Sequence, residues 1–331
     1  QGTFFGRNAV GGALNMTTRN PTDEFGWKVS AGGESYEDAN QQYNLTGIVN
    51  VPVSDSFAMR GVFYYEDSGG LVDNVCGGGA SAAACPAAAA NGFTANGADD
   101  SGHDFYNLRL KTLWDVSAET SVTASLIYAF EDQDHDENVP SGIMDLDTVD
   151  SFGIETAIDP GTGFWPRNRN ELSHDLPERN RNETRVAILN IAHHLSDEWV
   201  VKSITGIIAA EQRRQFDNDG VGGLDGLGRT NTYDGSSWST ELRFEGTLES
   251  MDVILGALYS RDRQDQENDV YVSTGAELGH TSATGVGILP PFQHGLGLLL
   301  NSKNHEITGV ALFGDITYHL TDDIDLIAGG R

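Results

Sequence analysis

Short and long connections alternate strictly along this chain, between segments whose hydrophobicity has a period of two. From Phe25 onward such segments recur. In one, Tyr106, Leu108, Leu110, Thr112 and Trp114 oppose Asn107, Arg109 and Lys111. In another, Trp238, Thr240, Leu242 and Phe244 oppose Ser239, Glu241, Arg243 and Glu245. Successive side chains on a strand point to opposite faces, so each segment carries one apolar and one polar face. This reading predicts strands at 25–33, 41–51, 57–66, 104–114, 120–130, 183–195, 199–212, 237–247, 252–262, 304–318 and 324–331. The short connections are 52–56, 115–119, 196–198, 249–251 and 321–323. After a modest link at 34–40, the long ones are 67–103, 131–182, 213–236 and 263–303.

This alternation puts every tight turn on one rim of the sheet and every long loop on the other, as in an outer-membrane β-barrel. A soluble sandwich with Greek-key crossings has no such reason to segregate its loops. The charge agrees with a chain that avoids nucleic acid and anionic headgroups: 49 acidic residues against 20 basic ones leave a net charge of -29. No apolar run is long enough for a membrane helix, and mean hydropathy is -0.34. A barrel stays open as a reading because half of its strand residues face a polar interior. Aromatics near strand ends fit two interfacial girdles: Phe25, Trp27, Tyr43, Phe57, Tyr64, Tyr65, Phe105, Trp114, Phe130, Trp199 and Trp238. Aromatics also favour strands of any kind. An unpaired backbone group in hydrocarbon costs several kcal/mol, so a spanning sheet must close. Single-chain bacterial barrels use even strand counts, so an odd count predicts further strands beyond Arg331. Gln1 follows no secretory segment and Arg331 closes no terminal turn, so both ends read as cut.

The opening residues carry a more specific signal. Gly2, Gly6, Arg7, Asn8, Ala9, Gly11, Gly12 and Asn15 lie in the run GTFFGRNAVGGALN, followed by Met16, Thr17, Thr18, Arg19, Asn20 and Pro21. This run resembles the end of the plug domain of TonB-dependent outer-membrane receptors. In those proteins Gly-x-x-x-Gly-Arg/Ser-x-Ala-x-Gly-Gly-x-Ile/Leu-Asn precedes a Thr-rich strand, a basic residue and often Pro. The resemblance implies an all-β fold, a transmembrane antiparallel barrel of about 22 strands around a plug. Residues 1–24 would then be the C-terminal end of the plug and its linker, and 25–331 the first half of the barrel. It further implies a place in the outer membrane of a Gram-negative bacterium, with lipid and lipopolysaccharide as neighbours. The implied work is active uptake of a scarce, bulky ligand, driven through TonB with ExbB and ExbD, without catalysis or a resident cofactor. A ferric siderophore is the first expectation, and cobalamin, haem or an oligosaccharide the others. The rival readings are a passive porin-like channel and a secreted β-rich carbohydrate-binding module.

Several residues are candidates for specific roles. Gly6, Gly11 and Gly12 permit the tight turns a wedged plug needs. Arg7 needs carboxylate or carbonyl partners in a confined interior. The resemblance places glutamates opposite such arginines, and Glu241 and Glu245 are candidates; Arg7 is either a structural link or a gating residue. In the loop at 131–182, Trp165, Arg167, Arg169 and His135 form either a stacking and hydrogen-bonding ligand patch or, with the acidic run around them, a solvated loop. Cys76 and Cys85 read as a loop disulfide in an oxidising compartment or as two unpaired thiols, and alone make a poor metal site. Asp217, Asp219 and Asp225 suggest a calcium loop but lack the glutamate that closes an EF-hand. His193 and His194 point to opposite faces and cannot share a metal. No zinc spacing, nucleophile elbow or phosphate loop is present, so no metal or catalytic site is expected.

Overall fold

The computed structural model describes residues 17–36, 39–70, 72–74, 98–100, 102–134, 171–172, 179–217, 227–272, 298–321 and 323–331. All eleven expected strands form. They are β1 (Gly26–Tyr36), β2 (Ala39–Ser54), β3 (Phe57–Ser68), β6 (His103–Asp115), β7 (Thr120–Gln133), β9 (Arg179–His194), β10 (Trp199–Asp217), β11 (Leu227–Leu248), β12 (Met251–Val272), β13 (Leu298–Thr321) and β14 (Ile324–Gly330). They make one antiparallel sheet in chain order, with β1 and β14 at its edges. Three short strands, β4 (Val72–Asn74), β5 (Ala98–Asp100) and β8 (Glu171–Leu172), form a second sheet that the periodicity does not reveal.

Four of the five short turns share a local device. Ser54, Ser117, Ser196 and Thr321 each accept a bond from the backbone N–H two residues on, at 3.2–3.3 Å. A hydroxyl at that position closes the turn on its own backbone, which explains how so few residues reverse the chain.

The register makes each face continuous across the sheet. One row runs Phe57, Trp114, Val122, Ile191, Ser203, Leu242, Ala257 and Leu312. On the opposite face a row runs Asn50, Arg60, Lys111, Ser125, Ile188, Gly206, Ser239 and Ser260. Only Ala58 and Phe313 are buried hydrophobics among the described residues, while Leu108, Leu126, Ile207, Leu242, Leu255, Val310 and Leu312 stand exposed on the first face. A sheet that buries so little of its apolar face against itself is matched to hydrocarbon, with its polar face turned inward. A hollow of about 840 Å³ lies on that apolar side, lined by Trp27, Val49, Leu108, Leu126 and Ile207 among others. Its lining is mainly apolar, with Tyr128 and Arg185 as its polar members on this face.

Aromatics bound this outer face above and below. Phe57, Trp114 and Trp199 lie beside the short turns, and Tyr65, Tyr106 and Trp238 lie eight positions higher in register. Eight residues span about 26 Å along a strand, which suits a tilted crossing of the apolar band. Tyr64 and Phe105 depart from the expectation. They belong to the inner series and meet each other there at 5.9 Å between ring centroids. Their position in sequence suited a girdle, but their parity puts them on the other face.

The long connections are shorter than the sequence suggested. β10 continues to Asp217, β11 begins at Leu227, β12 runs to Val272 and β13 begins at Leu298. Beyond the apolar band both faces are polar, as in Asp262-Arg263-Gln264-Asp265-Gln266-Glu267, so the period-two signal vanishes. The ladder itself continues because its hydrogen bonds do not depend on which side chains flank them.

Candidate functional site: the inner wall and the strap bound to it

The residues before β1 lie along the inner face as a strap. Lys111 of β6 donates from Nζ to the carbonyl of Thr18 at 3.1 Å. Asn50 of β2 holds the next turn of chain: its Oδ1 accepts from the Thr22 N–H at 2.9 Å, and its Nδ2 donates to the carbonyls of Thr22 at 3.0 Å and Glu24 at 2.5 Å. Asn50 is 4% exposed and Pro21 is buried. The strap therefore passes from β6 back to β2 before entering β1 at Gly26. A buried amide that spends both donors and its acceptor on one neighbouring backbone fixes the path of that backbone.

The inner wall carries two charge groups of opposite design. On β10 and β11, Glu241 pairs with Arg243, Arg243 reaches Glu245 at 3.9 Å, and Lys202 bonds Glu245 at 2.6 Å. Glu241 and Glu245 thus lie on the polar face and are engaged by cations of the same sheet. Near the strap, Arg19, Arg60, Arg109 and Lys111 line a hollow of about 210 Å³. Lys111 is 9% exposed, and the Nε of Arg109 is buried with no hydrogen-bond partner among the described residues. Sequence reading missed Asn50 and this basic group. Their signal was a lone amide in an apolar run and cations on one parity, but only register brings Arg60 opposite Lys111.

The outer face above the upper aromatics is held by ion pairs. Asp132 accepts from Arg179 Nε at 2.6 Å and from Arg181 Nη2 at 2.9 Å. The Arg179 guanidinium holds the Asp132 carboxyl below the ordinary carboxylate value, with burial opposing and Arg181 adding to the shift. At the other rim His193 Nδ1 meets Thr120 Oγ1 at 2.8 Å on the outer face, while His194 belongs to the inner series. No cluster of three metal-ligating side chains occurs among the described residues. Gly2, Gly6, Arg7, Asn8, Ala9, Gly11, Gly12, Asn15, Cys76, Cys85, His135, Trp165, Arg167, Arg169, Asp219 and Asp225 lie outside the described residues.

No protein-family profile matches the chain, and no curated protein is similar to it in sequence. Solved structures do match. The ferric yersiniabactin uptake receptor FyuA of Yersinia pestis superposes with a TM-score of 0.64 at 15% identity, over 99% of this chain and 42% of that one. The chain has the barrel fold of the TonB-dependent outer-membrane receptors. The siderophore receptor PiuA of Acinetobacter baumannii shares this receptor fold, with a TM-score of 0.57 at 13% identity over 100% of this chain and 48% of that one. The open form of the ferric-catecholate import receptor Fiu of E. coli K12 does too, at 0.56 and 14%, over 97% of this chain and 56% of that one. The chain thus spans about half the length of the receptors it matches. The receptor fold accounts for an open sheet whose inner face is polar and strapped while its outer face is apolar.

Proposed function

We propose that the chain is part of a TonB-dependent receptor that takes up an iron chelate across the outer membrane of a Gram-negative bacterium. Residues 1–24 end its plug, and the sheet from β1 to β14 is part of its barrel wall. The carrying observation is the strap: a segment leading out of the glycine-rich opening is bonded to the inner wall through Asn50 and Lys111. A wall that grips an internal segment suits an occupied lumen, which a passive pore does not need. Three of the matched structures are described as receptors for ferric yersiniabactin, for siderophores and for ferric catecholates, which favours an iron chelate over cobalamin, haem or an oligosaccharide. The protein moves its ligand without altering it. TonB, with ExbB and ExbD, supplies energy, lipopolysaccharide surrounds the upper wall, and Arg7 links plug to wall.

The test is growth under iron limitation. A deletion strain carrying the full-length gene should use ferric chelates that the empty deletion strain cannot, and should lose that ability when TonB is also deleted. Uptake that persists without TonB would favour a passive channel. Receptor that stays in the soluble fraction after export would favour a secreted binding module.

A further inference from the structure

The basic group on the inner wall has no carboxylate counter-ion among the described residues. Arg60 and Lys111 are directly opposite each other on β3 and β6, and Arg109 is the next inner residue on β6. Like charges directly opposite on a sheet destabilise it, and burial strengthens the repulsion. Arg19 adds a fourth cation at the same hollow. No carboxylate lies within ion-pair distance of the four among the described residues, in a chain with 49 acidic residues. The inner group of Glu241, Arg243, Glu245 and Lys202, on β10 and β11, shows how this wall handles charge when the partner is at hand. One of the four, Lys111, is nearly buried and bonds the Thr18 carbonyl, and the buried Nε of Arg109 has no hydrogen-bond partner among the described residues.

We propose that Arg60, Arg109 and Lys111, with Arg19, form a carboxylate-binding site on the inner wall beside the strap. Three planar guanidinium forks and an ammonium around one small hollow suit a bidentate oxyanion. The carboxylate comes either from another part of the same polypeptide, locking plug to wall, or from an anionic chelate on its way through the lumen. The site takes its inward orientation from the proposed barrel.

The experiment uses the full-length receptor folded in detergent micelles, with sodium citrate as the probe. The thermal midpoint is followed against citrate at constant ionic strength for the parent and for Arg60→Gln, Arg109→Gln and Arg109→Lys. If the site is open to solutes, citrate raises the parent's midpoint. Either Gln variant then needs at least about tenfold more citrate for the same rise, while Arg109→Lys keeps most of the response. If the protein's own carboxylate fills the site, citrate does nothing to the parent, and both Gln variants melt lower. The proposal is overturned if citrate acts equally on parent and variants, or if citrate has no effect and the Gln variants melt at or above the parent's temperature. These readouts need no uptake, so failure of chelate-dependent growth with an intact citrate response would count against the transport reading alone.

Discussion

The indole of Trp199 lies over Gly246, its cross-strand neighbour on β11, and stacks on Phe244 at 4.6 Å between centroids. A Cβ at Gly246 would collide with the indole ring, so the glycine is required by the aromatic at the lower rim. Gly246→Val should push Trp199 out of its stack and cost about 1–3 kcal/mol. A lower unfolding temperature of the full-length receptor, with blue-shifted Trp fluorescence lost, checks it. Parent-like stability in the valine variant would mean the ring has room elsewhere.

Asn50→Ala should free the strap. Three hydrogen bonds disappear and two carbonyls lose their donor, a net loss of about 0.5–1.5 kcal/mol for each bond. Limited proteolysis should then cut within residues 17–24 faster than in the parent, while Asn44→Ala, on the same strand and face, should leave cleavage unchanged. Asn50→Asp should fail to restore protection, because a carboxylate cannot donate to Thr22 and Glu24 carbonyls.

The Asp132 pair predicts an acid-sensitive upper rim. Its carboxyl titrates lower in the folded protein than in the unfolded chain, so the stabilisation is fully present above the ordinary carboxylate pKa and is lost as pH falls through the lowered folded value. Arg179 and Arg181 are about half exposed, so solvent limits the pair to roughly 0.2–1 kcal/mol. Hydrogen exchange at the upper ends of β7 and β9 should stay flat from neutral pH to about 5 and then accelerate below about 4, after correction for intrinsic rates. Asp132→Asn should exchange at the accelerated rate throughout. A parent curve with no acid limb would remove the pair as a cause of rim order.

Arg243 should matter more than its position on a polar face suggests. Replacing it with Ala leaves Glu241 without its wall cation and Glu245 with Lys202 alone. The expected loss is about 1 kcal/mol. If Arg7 also reaches Glu241, then Arg7→Ala and Glu241→Ala should be non-additive, and more strongly so in the Arg243→Ala background. Additive effects in both backgrounds would assign Arg7 to another partner.

The sequence by itself determined the eleven strands, their antiparallel order and which rim holds the turns. Each of these follows from local signals: parity of apolar residues and loop length. It also determined that Glu241 and Glu245 share a face, and that His193 and His194 do not. Tertiary structure decided what no single segment encodes. Register alone set Arg60 against Lys111 and Trp199 over Gly246. The bend of the strap alone brought the backbone of Thr22 and Glu24 to Asn50, across more than twenty intervening residues. The upper halves of β10 to β13 were invisible for a related reason. Ladder bonds belong to the backbone of two strands at once, whereas periodicity is written in the side chains of one.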